Sequence, residues 1–225
     1  MPFDLTSFLI QSSVIVCGIA GFGSVVVILR RVVNRESIFF SLVLIGLTLY
    51  VIFYSFLKIE ELKYLSYPLQ SVAIELCIFG LFMFSYSGKS EGNISKELIF
   101  LIAWFLAIPP LLNFMFLPFT FVVEPYGYEL QIETWFIVIF ALINVIFFIY
   151  SIYYLYTLGF QSSSLKIRKK IKILILALLI DALATLSFLY FIPVIFQIHN
   201  IKPIGYYILS ASMILKSYAF KREND

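Results

Sequence analysis

The sequence predicts an all-α membrane protein, a bundle of seven transmembrane helices, on three observations. The chain has 225 residues, 62% hydrophobic and only 13% charged, with a mean hydropathy of +1.00; a soluble domain carries about a quarter charged residues. Apolar runs of span length recur seven times, with short polar loops between them. Basic residues concentrate in alternate loops.

The apolar runs cover residues 8–29, 37–56, 68–86, 98–117, 134–157, 173–196 and 204–220. One span needs roughly 20 apolar residues, so residues 1–225 read as a single seven-helix domain with no separate soluble unit. Lipid offers no partners to free backbone groups, which leaves helices or closed barrels. Barrel strands would be shorter and would alternate polar with apolar residues; these runs are continuous. The fifth and sixth are the longest and are expected to tilt or protrude. The start, Met-Pro-Phe-Asp, has no basic region and leads into a span-length run, so no cleavable signal peptide is expected.

Charge sets the orientation. Arg30, Arg31, Arg35, Lys89, Lys96, Lys166, Arg168, Lys169, Lys170, Lys172, Lys221 and Arg222 fall on one side; Lys58, Lys63 and Lys202 fall on the other, and Lys216 lies within a span. The positive-inside rule puts the larger set in the cytoplasm. The N-terminus is then outside, the C-terminus inside, and the cell membrane is the expected location. Acidic residues lean outward: Asp4, Glu60, Glu61, Glu124, Glu129 and Glu133. Tyr64, Tyr67, Tyr126, Tyr128 and Trp135 mark the outer boundary, and Tyr153, Tyr154 and Tyr156 the inner one, as aromatic belts.

The outer loop 118–133 has two β-prone stretches around Pro125-Tyr126-Gly127-Tyr128, the pattern of a short β-hairpin. It reads either as a lid over a ligand pocket or as a connector packed on the helix ends.

Three ionisable residues lie inside spans, where such groups are costly unless paired or hydrated. Glu75 sits roughly 10 Å below the outer boundary at 1.5 Å per residue. Gln70, Ser71, Asn144 and Thr48 are the polar residues expected near it. The group reads either as contacts in an outward-facing pocket or, for Glu75, as a hydrogen-bonded core carboxyl. Asp181 and Lys216 sit about 12 Å and about 9 Å above the inner boundary. On sequential antiparallel helices they are expected to face each other as an ion pair; otherwise Lys216 snorkels to the headgroups and Asp181 is held as the neutral acid.

Small residues mark expected helix contacts: Ser13, Cys17 and Gly21; Ala177 and Ala184; Gly205 and Ser212. Pro109-Pro110 and Pro193 are expected to bend their helices. The basic run of Lys166, Arg168, Lys169, Lys170 and Lys172 reads as a topology determinant that binds anionic lipid, or as a docking surface for a cytoplasmic partner.

Several chemistries lack their residues. Cys17 and Cys77 lie in apolar runs, away from any loop, so neither a disulfide nor a metal site is expected. The single histidine, His199, rules out bis-histidine haem, histidine-based zinc and a serine-protease triad. No Gly-rich phosphate loop is visible. The chain is expected not to be an enzyme and to need no cofactor, metal or nucleic acid. A retinal linkage to Lys216 is rejected, because that residue is too near the cytoplasmic end and the sixth run has no tryptophan. A small-solute or ion-coupled transporter remains the alternative, since an odd helix count allows a three-plus-one-plus-three plan. A membrane scaffold is the third reading.

The first helix ends in an Arg-rich turn, and Asn34-Arg35-Glu36-Ser37 leads into Phe39-Phe40. Ile108-Pro109-Pro110-Leu111-Leu112 lies in the fourth helix, and Tyr126-Gly127-Tyr128 follows it. A basic stretch opens the sixth; Lys202-Pro203-Ile204-Gly205 enters the seventh, which closes with Lys216-Ser217-Tyr218-Ala219-Phe220-Lys221. In order and spacing over nearly its whole length, the chain resembles the N-terminal seven-transmembrane sensor region of bacterial and archaeal histidine kinases. The resemblance implies an input module that passes a stimulus to cytoplasmic signalling domains. The sequence itself contains no PAS domain, phospho-acceptor helix or ATPase, so the chain is expected to be either a stand-alone relative that signals through a cytoplasmic partner or the sensor region of a longer protein. Binding at the outer half by a small or lipidic ligand, reported inside by the sixth and seventh helices, is the expected function.

Overall fold

A computed structural model describes residues 5–31, 34–56, 59–89, 94–124, 127–185, 187 and 201–219. Its elements are α1 (Leu5–Arg31), α2 (Arg35–Ser55), α3 (Lys63–Lys89), α4 (Lys96–Phe116), β1 (Phe119–Glu124), β2 (Gly127–Ile132), α5 (Thr134–Gln161), α6 (Leu165–Ala184) and α7 (Lys202–Ala219). Within the described residues five helices, α1 to α5, are long and apolar enough to cross a membrane. That pattern fits a multi-pass membrane protein.

Local chemistry explains the helix ends. Asn34 caps α2 in a reciprocal box: its Oδ1 accepts from the Ser37 amide at 2.7 Å, and Ser37 Oγ accepts from the Asn34 amide at 3.0 Å. Ser95 caps α4 by accepting from the Leu98 amide at 3.1 Å. α4 continues through Pro109 and Pro110 to Phe116, and Leu117 ends it in the left-handed region (φ 43°), its amide bonded to Asn113 O at 3.1 Å. That turn sends the chain into β1.

Two helices begin more than three residues before their apolar runs. α3 starts at Lys63 and includes Pro68. α6 starts at Leu165, so its first turns carry all five basic residues. A helix needs only backbone partners, which the chain supplies beyond the hydrocarbon layer as well as within it; hydropathy registers the lipid-facing length alone. The end of the sixth run, Pro193 and His199 lie outside the described residues, as do Asp4, Lys58, Pro125, Tyr126, Lys221 and Arg222.

The helices pack in a closed order. α1 contacts α2 and α7, α2 contacts α3, α3 contacts α5, α5 contacts α6, and α6 returns to α7. α4 lies against the seam of α3 and α5. Glycines permit the tightest contact, between α2 and α3. A Cβ on Gly46 would stand 2.6 Å from Ala73 O, and one on Gly80 would stand 2.7 Å from Phe39 O. Gly21 likewise brings α1 against the Thr48 side chain of α2. Ser13, Cys17, Ala177, Ala184 and Ser212 are all buried at helix contacts.

β1 and β2 pair antiparallel, with Phe119 opposite Ile132 and Glu124 opposite Gly127. The pair is anchored to the helices by aromatic rings. Tyr67 of α3 meets Phe119 of β1 at 5.4 Å and Phe136 of α5 at 5.9 Å between centroids, edge to face. These three buried residues, with Leu112 and Phe140, fill the space beneath β1.

Candidate functional site

Polar residues buried in the bundle form two centres on different helices. The first joins α6 to α7. Lys216 Nζ and the Asp181 carboxylate form an ion pair, with the lysine side chain wholly buried. Ser212, one turn before Lys216, donates to Ala177 O, one turn before Asp181, at 3.0 Å. The two contacts lie on one stripe of each helix, because residues four apart share a face. On the other side of α7, Ser24 of α1 donates to Met213 O at 3.3 Å.

The second centre lies among α3, α4 and α5. Asn144 Nδ2 donates to Glu75 Oε1 and to Phe140 O, each at 2.9 Å. Asn113 Nδ2 donates to Ser71 Oγ at 3.2 Å, and Ser71 donates to Pro68 O at 2.7 Å. Ser71 and Glu75 are one turn apart on the same face of α3. Glu75 is 5% exposed and Asn113 fully buried. Glu75 Oε2, Asn113 Oδ1 and Asn144 Oδ1 have no hydrogen-bond partner among the described residues. Apolar layers bound this centre. Tyr67, Phe119 and Phe136 lie toward the β1–β2 end. Ile78, Phe82, Met83, Ile102 and Leu106 lie toward the other.

Not every residue expected near Glu75 bonds there. Gln70 donates to Ser66 Oγ at 2.8 Å, and Ser66 in turn donates to Phe53 O at 2.7 Å, which ties α3 to α2. Thr48 donates to Leu44 O at 2.7 Å and lies 4.0 Å from Met213 Sδ, between α2 and α7. Gln70 is five residues before Glu75, so it points about 140° away around a helix of 3.6 residues per turn. Depth along a helix is readable in the sequence; direction around it is not. Asn113 is the member that sequence reasoning missed. Its signal is a lone amide in an otherwise apolar span.

No family model matches the chain, and no curated protein does. The site therefore rests on its own geometry.

On α6, Lys166, Arg168, Lys169 and Lys172 are exposed and Lys170 is half-buried. Arg168 Nε donates to Ser162 O at 2.6 Å, folding its stem back over the α5–α6 turn. Lys202, at the start of α7, is buried; its Nζ lies 3.5 Å from Tyr54 Oη and 5.5 Å from the centre of that ring. A shallow recess where β1 meets α3 is lined by Lys63, Tyr64, Phe119, Thr120, Phe121 and Val123. Among the described residues no group of three or more His, Cys, Asp or Glu could hold a metal ion.

Proposed function

We propose that this chain is a seven-helix sensor module of the cell membrane, with its N-terminus outside and its C-terminus in the cytoplasm. It binds a small ligand from the outer side at the Glu75 centre and signals through a cytoplasmic partner. The observation that carries this reading is the polar layer of Glu75, Asn113 and Asn144, whose unpartnered oxygens are enclosed by apolar layers above and below. A buried acceptor left without a donor costs about 1–3 kcal/mol, so a fold that keeps several in one layer has a use for them. Enclosure on both sides favours binding over passage, which supports sensing above transport.

α6 and α7 serve as the sixth and seventh spans in this reading. Their charges lower their hydropathy, but on α7 the polar residues face inward. Lys202, Ser210, Ser212 and Lys216 are buried, while Ile204 and Ile214 are exposed. A helix with its polar stripe turned into the protein and its apolar side turned out suits lipid. The α6–α7 ion pair makes these two helices move as one unit, and the basic start of α6 meets anionic headgroups or the partner at the cytoplasmic face.

The test uses proteoliposomes holding the full chain with Cys17 and Cys77 replaced by serine and a fluorophore attached through Ser163→Cys. Small polar solutes and lipids are screened first by thermal unfolding. A solute that stabilises the parent chain but not its Glu75→Gln form should shift the fluorophore signal from outside without crossing the membrane. Flux of that solute would replace sensing with transport. A screen without any stabilising solute would leave a structural bundle.

A further inference from the structure

One face of α6 changes character along its length. Leu165, Lys169, Lys172, Leu176, Leu179 and Leu183 succeed one another at alternating spacings of four and three, so they form a single stripe. All six are exposed. Ile171, Leu174, Leu178 and Asp181 occupy the opposite side and are buried. Arg168, one turn before Lys172, borders the stripe and is exposed as well. α6 has no acid apart from Asp181, which Lys216 engages. A Cβ on Gly159 would stand 3.0 Å from Ile171 Cγ2, so the end of α5 and the basic turns of α6 share one level. At that level Tyr156 and Phe160 stack, exposed, with ring centroids 6.2 Å apart, as an aromatic pair suited to a headgroup boundary. From Lys172 to Leu183 the stripe rises about 16 Å at 1.5 Å per residue, which matches half of a hydrocarbon core roughly 30 Å thick.

We propose that this stripe seats an anionic phospholipid, with its phosphate at Arg168, Lys169 and Lys172 and an acyl chain along Leu176, Leu179 and Leu183. The change from cations to leucines on one face decides the class of occupant. A free phosphate would use the cations and leave the leucines bare. A soluble protein reaches the first turns of α6 but not a track of leucines inside a bilayer. A lipid uses both. A zwitterionic headgroup brings its own ammonium to a level already rich in cations, whereas a net negative charge compensates them. The proposal rests on the reading of α6 as the sixth span; it depends on neither the Glu75 ligand nor the signalling route.

The test places a reporter on the stripe. Full-length Leu179→Trp is reconstituted in phosphatidylcholine vesicles containing a minor fraction of phosphatidylglycerol. Brominated chains are carried either by the phosphatidylglycerol or by an equal amount of the phosphatidylcholine, and the signal of the parent chain, from Trp104 and Trp135, is subtracted. Brominated phosphatidylglycerol should quench at least twofold more strongly. At Ile149→Trp, on the exposed side of α5, the two lipids should quench alike. Lys169→Gln with Lys172→Gln should abolish the preference at Leu179→Trp. Lys166→Gln with Lys170→Gln removes the same charge outside the stripe and should keep more than half of it. Equal quenching of Leu179→Trp by the two lipids overturns the proposal and leaves the basic run to a cytoplasmic partner. Equal losses in the two double variants overturn it in favour of a diffuse charge effect. If the Lys169 and Lys172 double variant does not fold, a preference at Ile149→Trp as large as at Leu179→Trp overturns it. Quenching of Leu179→Trp by neither lipid overturns the reading of α6 as a span, and the proposal with it.

Discussion

Lys216 of α7 is wholly buried with its ammonium group against the Asp181 carboxylate of α6. The pair lies one turn from the Ser212 bond to Ala177 O, so α6 and α7 are joined at consecutive turns. Asp181 Oδ1 has no partner among the described residues, which leaves Lys216 as the main compensation for the acid.

Removing one partner should therefore cost far more than removing both. Lys216→Met and Asp181→Asn are each expected to lower stability by about 3–5 kcal/mol, because the remaining group is left buried and uncompensated. The double variant should lose clearly less than the sum of the two. A denaturant double-mutant cycle in detergent checks this, and additive losses would argue against the pair as a unit.

The α2–α3 contact predicts a contrast among glycines. Gly46→Ala and Gly80→Ala place a methyl group within 3 Å of backbone atoms on the facing helix, which cannot rotate away. Each should cost about 1–3 kcal/mol as the helices are forced apart. At Gly18 and Gly23 an added methyl group would meet nothing within 4 Å. Alanine there should be neutral or stabilising by roughly 0.5–1 kcal/mol, through backbone entropy. Unfolding midpoints of the four variants give the ranking.

Asn144 gives Glu75 its only hydrogen bond among the described residues, at 2.9 Å. Asn144→Leu should lower stability by about 1–3 kcal/mol, the cost of leaving a buried polar group without a donor. Pairing it with Glu75→Leu should recover most of that loss, since two apolar side chains demand no partner. Midpoints of the two singles and the double measure the recovery.

The thiols give a labelling test. Cys17 is fully buried and Cys77 is partly so, and both are free. Cys17 should resist a water-soluble maleimide in the folded protein and react after unfolding in strong denaturant. Mass spectrometry before and after unfolding reads the count, and prompt labelling of Cys17 in the native state would contradict its packing between α1 and its neighbours.

Much of the helix plan was legible along the chain. The runs at 37–56 and 98–117 match α2 and α4 to within two residues at each end, because a span is set by local apolar length and by the need to satisfy its own backbone. The start of α6 was not legible in the apolar pattern: five cations precede its apolar part, and a helix needs only its own backbone partners to run through a charged stretch. At the Glu75 site, Asn144 was readable from depth. Gln70 and Thr48 share a comparable depth but point to other helices, and nothing local to the sequence encodes that angle.

The sequence by itself predicted an apolar environment, the helical backbone and the position of each buried polar residue along its helix, since these follow from apolar length and a fixed rise per residue. Only the tertiary structure decided the closed helix order, the seating of α4 on the α3–α5 seam, and the choice of Asn113 as the partner of Ser71 and of Asn144 as the partner of Glu75. Those features depend on which faces of distant segments meet, and helix packing is chosen by the fit of side chains over many residues at once. The unpartnered oxygens of the Glu75 layer belong to the same class: a missing donor becomes visible only when every neighbour has been placed.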